Sequence, residues 1–337
     1  MSDFQKPIFI VSSPRSGSTL LRLILDAHPN IAVPSPAWIY EFVYPFLYSY
    51  GDLSDETNFR ELAHDMIDMP TIKEWMVDFT VDEVVEKCAE PSFKEAYAYL
   101  HEKDAAAKGK VRWGEKSPRN GYWIEEIKSD FPDAQFVHII RDGRDMAIDI
   151  SQSQSMRPCS VLMGVHFWKH YVSGITTDLA KLDAGDAFTI KYESLCADPG
   201  TELKNLCDFL GEDFDETMLR HNETPSTKKW AAIGNHKATG APISTDYCEM
   251  YKTRLKGTDA QVLESVIGDL LQQYDYPVSG SPETLPTRLE AQIIESDMIS
   301  APHNDIYRTE LEKKRLARKE RGVYSDDDRK SMLRSLF

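Results

Sequence analysis

The stretch Pro7–Pro29, PIFIVSSPRSGSTLLRLILDAHP, constrains this chain more than any other. Pro7 to Val11 is a short β-branched and aromatic run suited to a buried strand, and Ser12, Ser13 and Pro14 stop it abruptly. Arg15 to Thr19 form a small polar turn. From there Leu20, Leu21, Leu23, Ile24 and Ala27 recur at helical spacing. In a strand–turn–helix of this kind, backbone N–H groups and the helix N-terminus face a concavity that favours an anion, and nearby hydroxyls add donors. Ser13, Pro14, Arg15, Ser16, Gly17, Ser18 and Thr19 are therefore candidate residues for holding a phosphate or sulfate.

A nucleoside-triphosphate P-loop reads G-x-x-x-x-G-K-[ST]. Here Ser12 stands at the first glycine and Ser18 at the lysine, so only Gly17 and Thr19 match, and the cation has moved to Arg15 inside the turn. SSPRSGSTLLRLILDAHP instead resembles the 5′-phosphosulfate-binding loop of sulfotransferases that use 3′-phosphoadenosine 5′-phosphosulfate (PAPS), most closely the bacterial and tyrosylprotein branch. The resemblance implies that Arg15 contacts the bridging oxygen and the sulfuryl group, with Gly17, Ser18 and Thr19 around the 5′-phosphate.

Four later stretches extend it. KVRWGEKSPRN, Lys110 to Asn120, reads as a short strand running into a Pro-terminated turn, and Gly-Glu-Lys-Ser-Pro resembles a family signature whose lysine lies beside the transferring group. Lys116 is the candidate, stabilising charge on the leaving oxygen. AQFVHII, Ala134 to Ile140, is a central-strand candidate ending at Arg141-Asp142-Gly143-Arg144-Asp145. Basic residues at the carboxyl end of a parallel strand face the crevice where α/β folds bind ligands. By resemblance Arg141 grips the 3′-phosphate, with a serine eight positions on. That position is Asp149, and a carboxylate beside a phosphate is repulsive. Either Ser151 or Ser153 substitutes, or the phosphate is held otherwise. AFTIKYESL, Ala187 to Leu195, resembles the family's Tyr-Glu-x-Leu pattern, which implies Tyr192 near the adenine and a structural Glu193. The basic stretch HKATGAPISTDYCEMYKTRLKG, His236 to Gly257, resembles the family's nucleotide-closing segment more loosely, which implies Lys252 and Arg254 as nucleotide contacts.

The general base is where the chain departs furthest from its look-alikes. The family's glutamate, eight or nine residues beyond the His of Asp-Ala-His-Pro, falls on Pro36 or Ala37. Glu41 is the preferred candidate, because the aromatic segment Trp38 to Tyr50 reads as a cleft wall where a partly desolvated carboxylate gains basicity. Glu115 is second and His138 a further possibility.

The 337 residues, 41% of them apolar, suffice for one large α/β domain with insertions. The expected fold is a P-loop-like three-layer α/β fold with a mainly parallel central sheet. Residues 1–280 form the domain, about 51–109 an inserted helical cap, and 281–337 a charged, mainly helical extension whose LEKKRLARKER run packs on its own chain or a neighbouring subunit, or else presents a basic patch. A net charge of −16 argues against nucleic-acid or anionic-membrane binding. His166 and His170, one turn apart, lack a third ligand, so no metal is expected. Five scattered cysteines without a C-x-x-C pair suggest reduced thiols, and no leader or long apolar run occurs, which together point to a soluble cytoplasmic protein without a membrane span. A homodimer is compatible with these features.

The expected activity is sulfuryl transfer from PAPS to a hydroxyl or amine of a small molecule, lipid or glycoside. The alternatives are a catalytically impaired nucleotide-binding partner protein and a P-loop-type kinase.

Overall fold

The computed structural model describes residues 5–153, 160–232, 238–256, 258–280, 288–290, 292–293 and 306–328. Five strands, β1 (Ile8–Val11), β2 (Ile31–Ala32), β3 (Arg112–Glu115), β4 (Gln135–Ile140) and β5 (Ala187–Lys191), form one sheet in the order β2-β3-β1-β4-β5, every pair parallel. Ile8 registers with Gly114 on one side and with Gln135 on the other. β1 is thus the centre from which the chain winds first one way and then the other. In an open parallel sheet that reversal leaves a crevice beyond the carboxyl ends of the strands.

Alternation along β1 shows how the layers form. Phe9 and Val11 point into one core with Phe136 and Trp113, while Ile8 and Ile10 point into the other with Val137 and Ile139. The second core is closed by α1 (Ser18–Ala27) and by α10 (Pro199–Leu210) through Leu21, Ile24, Leu203 and Leu206. Between them in sequence lie α2 (Ile39–Phe42), α3 (Glu56–Ile67), α4 (Val81–Lys87), α5 (Phe93–Ala107), α6 (Ile124–Asp130), α7 (Gly143–Gln152), α8 (Val161–Leu179) and α9 (Tyr192–Ala197). The remaining helices are α11 (Pro225–Ala231), α12 (Tyr251–Arg254), α13 (Asp259–Gln273) and α14 (Ile306–Glu320). A third core joins α7, α8 and α13 around Trp168 and Ile267. Among the described residues no helix is long and apolar enough to cross a membrane.

The segment 51–109, expected to be an inserted cap, is helical. α5 lies directly on the sheet, with Tyr97 stacked on Phe9 at 6.3 Å between ring centres and edge-on to Trp113 at 6.1 Å. Only α3 and α4 stand off from it, and α14 covers α3. Buried Asp65 on α3 accepts from Tyr50 Oη at 2.8 Å and Lys314 Nζ at 2.6 Å, and pairs with Arg318, whose Nε donates to Glu61 at 3.0 Å. Arg321 also reaches Glu61, at 2.7 Å. The charge-dense tail therefore packs on its own chain, and Lys314, Arg318 and Arg321 are matched by carboxylates of α3. They do not form a free basic patch.

Candidate active site

Four loops follow the carboxyl ends of β1, β3, β4 and β5, and each brings one of the residues singled out above to the same crevice. The turn after β1 uses two left-handed positions, Arg15 (φ 61°) and Gly17 (φ 91°). Glycine adopts that conformation without strain. At Gly17 it is required twice over, because a Cβ would stand 2.4 Å from Cδ2 of Tyr192. Ser13 and Ser16 are buried and share a hydrogen bond of 2.5 Å between their hydroxyls, so they brace the turn from behind. Pro14, Arg15, Gly17, Ser18 and Thr19 line the crevice itself. No side chain caps the N-terminus of α1, which leaves its first N–H groups for an incoming anion.

Lys116 follows β3 and is 4% exposed, with Nζ donating to Thr19 Oγ1 at 3.3 Å. Burial, with a smaller push from the Arg22 guanidinium, brings its pKa down to about 7, and Glu115 only partly offsets this. An anion arriving in the crevice would restore the charge. Neighbouring Glu115, expected as a second-choice base, points the other way. It is 1% exposed and accepts from the Ala37 N–H at 3.0 Å, from Ser117 Oγ at 2.5 Å and from Asn120 Nδ2. A carboxylate so engaged fixes the loop beneath Lys116 and does not line the crevice.

Arg141 ends β4 and is 3% exposed. Its Nη1 donates to the Arg15 carbonyl at 2.9 Å and to Asp149 Oδ2 at 3.0 Å, and its Nη2 to the Tyr247 carbonyl at 2.8 Å. The guanidinium lies 5.0 Å from the centre of the Tyr192 ring. Burial alone would lower the Arg141 pKa, but Asp149 and its neighbours outweigh burial and raise it. Arg15 donates from Nε and Nη2 to Asp149 Oδ1 at 3.1 and 2.8 Å. One carboxylate therefore serves both arginines.

Ser151, suggested as a replacement for the absent serine, instead donates to the Ile148 carbonyl at 2.8 Å within α7, and it does not line the crevice. Ser153 is buried and likewise outside the lining. Lys252 and Arg254 do not line the crevice: exposed on α12, they pair with Glu249 at 2.6 Å and with Gln152 at 3.1 Å. Helical spacing in that short turn directs their long side chains outward, while the preceding Ala241 to Tyr247 supplies the lining residues Pro242, Ile243, Ser244 and Tyr247.

The crevice encloses about 700 Å³ and continues past Lys116 between Pro36, Trp38, Thr71, Glu74 and Trp230. Glu41, the preferred base in the sequence, is not part of it. It faces a separate cavity of about 310 Å³ between the aromatic wall and α14, and pairs with Arg119 at 3.1 Å. The one-turn helix α2 turns Trp38 toward the crevice and Glu41 away. His138, the further possibility, is fully buried in β4 with both ring nitrogens unpartnered, and burial lowers its pKa to about 4. Its place among apolar groups makes it a neutral core residue.

Glu74 and Trp230 escaped the sequence reading, since no motif surrounds either. Arg22 escaped it as well. Wholly buried on α1, it donates to the Val33 carbonyl at 2.9 Å and lies 4.8 Å beneath the Trp230 ring, and burial lowers its pKa to about 10. Among the described residues no group of three or more His, Cys, Asp or Glu side chains gathers as metal ligands. His166 instead contacts Glu290 at 2.8 Å. The described cysteines, Cys88, Cys196, Cys207 and Cys248, are free thiols, and Cys159 lies outside the described residues.

Residues 7–216 match a family described as the sulfotransferase family. A protein-tyrosine sulfotransferase of Drosophila melanogaster is 24% identical over 225 residues, an alignment covering 64% of this chain but only 40% of the fly protein. Among solved structures, the sulfotransferase domain of the Synechococcus PCC 7002 olefin synthase superposes with a TM-score of 0.58 at 21% identity, covering 82% of this chain and 97% of that domain. The sulfotransferase domain from the curacin biosynthetic pathway gives 0.57 at 20% identity, covering 82% and 99%. With the family match spanning all four strand-end loops that build the crevice, this chain belongs to the sulfotransferase family.

Proposed function

We propose that the chain transfers a sulfuryl group from PAPS to the hydroxyl of an aromatic acceptor. The observation that carries this reading is the convergence of Arg15, Lys116 and Arg141, from three adjacent strand ends, on one crevice together with an uncapped helix N-terminus. The donor supplies an activated sulfuryl group on a phosphate leaving group, flanked by a second phosphate at the nucleotide's 3′ position. Around the bond to be broken, Arg15 and Lys116 provide positive charge where negative charge develops. Arg141 and Tyr192 hold the nucleotide end.

The acceptor enters past Trp38 and Trp230, whose rings suit an aromatic group, and the name of the fly relative supports a tyrosyl or other phenolic hydroxyl. Glu74 removes its proton. Glu74 lines the crevice at its exposed rim, whereas the other lining carboxylate, Asp149, is held by two arginines. In-line displacement then depends on positioning more than on covalent chemistry by the protein.

The test is to incubate the protein with PAPS carrying radioactive sulfur and with a tyrosine-containing acidic peptide, a simple phenol and an aliphatic alcohol. Label on the phenolic acceptors supports the reading. Binding of 3′-phosphoadenosine 5′-phosphate (PAP) without turnover on any acceptor favours a nucleotide-binding partner protein, and no binding at all rejects the donor.

A further inference from the structure

Asp149 sits where two cationic side chains meet, and its contacts show what it does there. Arg15 Nε and Nη2 address one carboxylate oxygen and Arg141 Nη1 addresses the other, with all contacts between 2.8 and 3.1 Å. The carboxylate projects from α7, the helix that begins two residues after Arg141. Arg15 and Asp149 are each roughly a quarter exposed, Arg141 is almost wholly buried, and all three line the crevice. Arg141 has further anchors in the Arg15 and Tyr247 carbonyls. It would stay in place without Asp149.

We propose that Asp149 is a resident counter-anion that competes with the donor's phosphates for Arg15 and Arg141, and so sets the affinity of the crevice for anionic nucleotides. Two like-signed groups crowded in a partly buried crevice repel, so a carboxylate there weakens the hold on an incoming anion. The donor must therefore take over contacts that Asp149 already makes, and product leaves as the carboxylate closes back on the arginines. A serine or asparagine at this position would offer hydrogen bonding without the competing charge. The inference deepens the donor reading above and rests on it for the identity of the nucleotide.

Asp149→Asn and Asp149→Ser can be compared with wild type by calorimetric titration with two probes, PAP and inorganic pyrophosphate. Removing the competing charge should tighten both probes by roughly ten- to a hundredfold, the scale of one partly desolvated like-charge contact, and should slow PAP release in stopped flow. Tighter pyrophosphate binding by the variants supports the inference even if wild type and variants all ignore PAP, an outcome that would count against the nucleotide alone. Unchanged or weaker binding of pyrophosphate by both variants, with thermal midpoints near wild type, would overturn it. Asp149→Glu separates charge from fit: retaining the charge, it should bind pyrophosphate no tighter than wild type, and tightening there as large as in Asp149→Asn would also overturn the proposal.

Discussion

The guanidinium of Arg141 donates from Nη1 to the main-chain carbonyl of Arg15 at 2.9 Å, which fastens the end of β4 to the turn after β1. A residue expected only to grip a phosphate is thus also a brace for the loop beside it. Arg141→Ala should weaken PAP binding by about two orders of magnitude, the cost of a lost charged contact plus a loosened turn, with a smaller fall in kcat at saturating donor. Arg141→Lys should recover little, because one ammonium cannot reach Arg15, Tyr247 and Asp149 together. A variant whose PAP affinity matches wild type would remove Arg141 from the donor site.

Lys116 gives the donor site a pH dependence with a definite sign. With its pKa in the free protein at about 7, the amine is charged below that pH and mainly neutral above it. A bound anion favours the charged form, so binding at higher pH must take up a proton, and PAP affinity should fall by up to about tenfold per pH unit above 7. Lys116→Met should flatten that limb. It should also lower kcat by about two to three orders of magnitude, the usual loss for one transition-state donor. Titration calorimetry in buffers of different ionisation enthalpy reads the proton directly.

Three carboxylates divide cleanly by location. Glu74→Gln should lower turnover by about two to four orders of magnitude with PAP affinity intact, as expected for a general base. Glu41→Gln should leave turnover near wild type, since Glu41 faces the neighbouring cavity. Glu115→Gln should instead lower the thermal midpoint, because an amide cannot satisfy the Ala37 N–H, Ser117 and Asn120 donors at once, a loss of about 1–3 kcal/mol. Full activity in Glu74→Gln would return the search for the base to the acceptor itself.

Arg318 is a stability residue far from the chemistry. Arg318→Met leaves buried Asp65 with Tyr50, Lys314 and the adjacent His64, and should cost about 1–3 kcal/mol, less than a wholly orphaned charge would. The double variant with Asp65→Asn should be more stable than the sum of the single changes implies, measured by urea unfolding.

The strand–turn–helix at Pro7–Pro29 and the basic residues at Arg15, Lys116 and Arg141 were legible because each follows a short hydrophobic run into a turn, a local pattern. Glu41, Ser151, Lys252 and Arg254 stand close in sequence to the lining residues Trp38, Asp149 and Tyr247 yet do not line the crevice, because a helix rotates successive side chains by about 100° per residue. Glu74 and Trp230 meet only through tertiary packing, which no spacing announces. Asp149 conflicts with a phosphate considered alone, and its place between Arg15 and Arg141 is set by tertiary packing that the sequence does not announce.

Asp65 and Arg318 are 253 residues apart in the chain. Since a polypeptide emerges from its N-terminus first and the early part folds as it appears, α3 spends most of synthesis with Asp65 facing water in place of its eventual partner. The docking of α14 on α3 must therefore be a late event, after the strands of the sheet have emerged. Nascent-chain experiments should find proteolytic protection arriving in two waves, with β1, β3 and β4 guarded first and α3 guarded only when α14 can fold back over it.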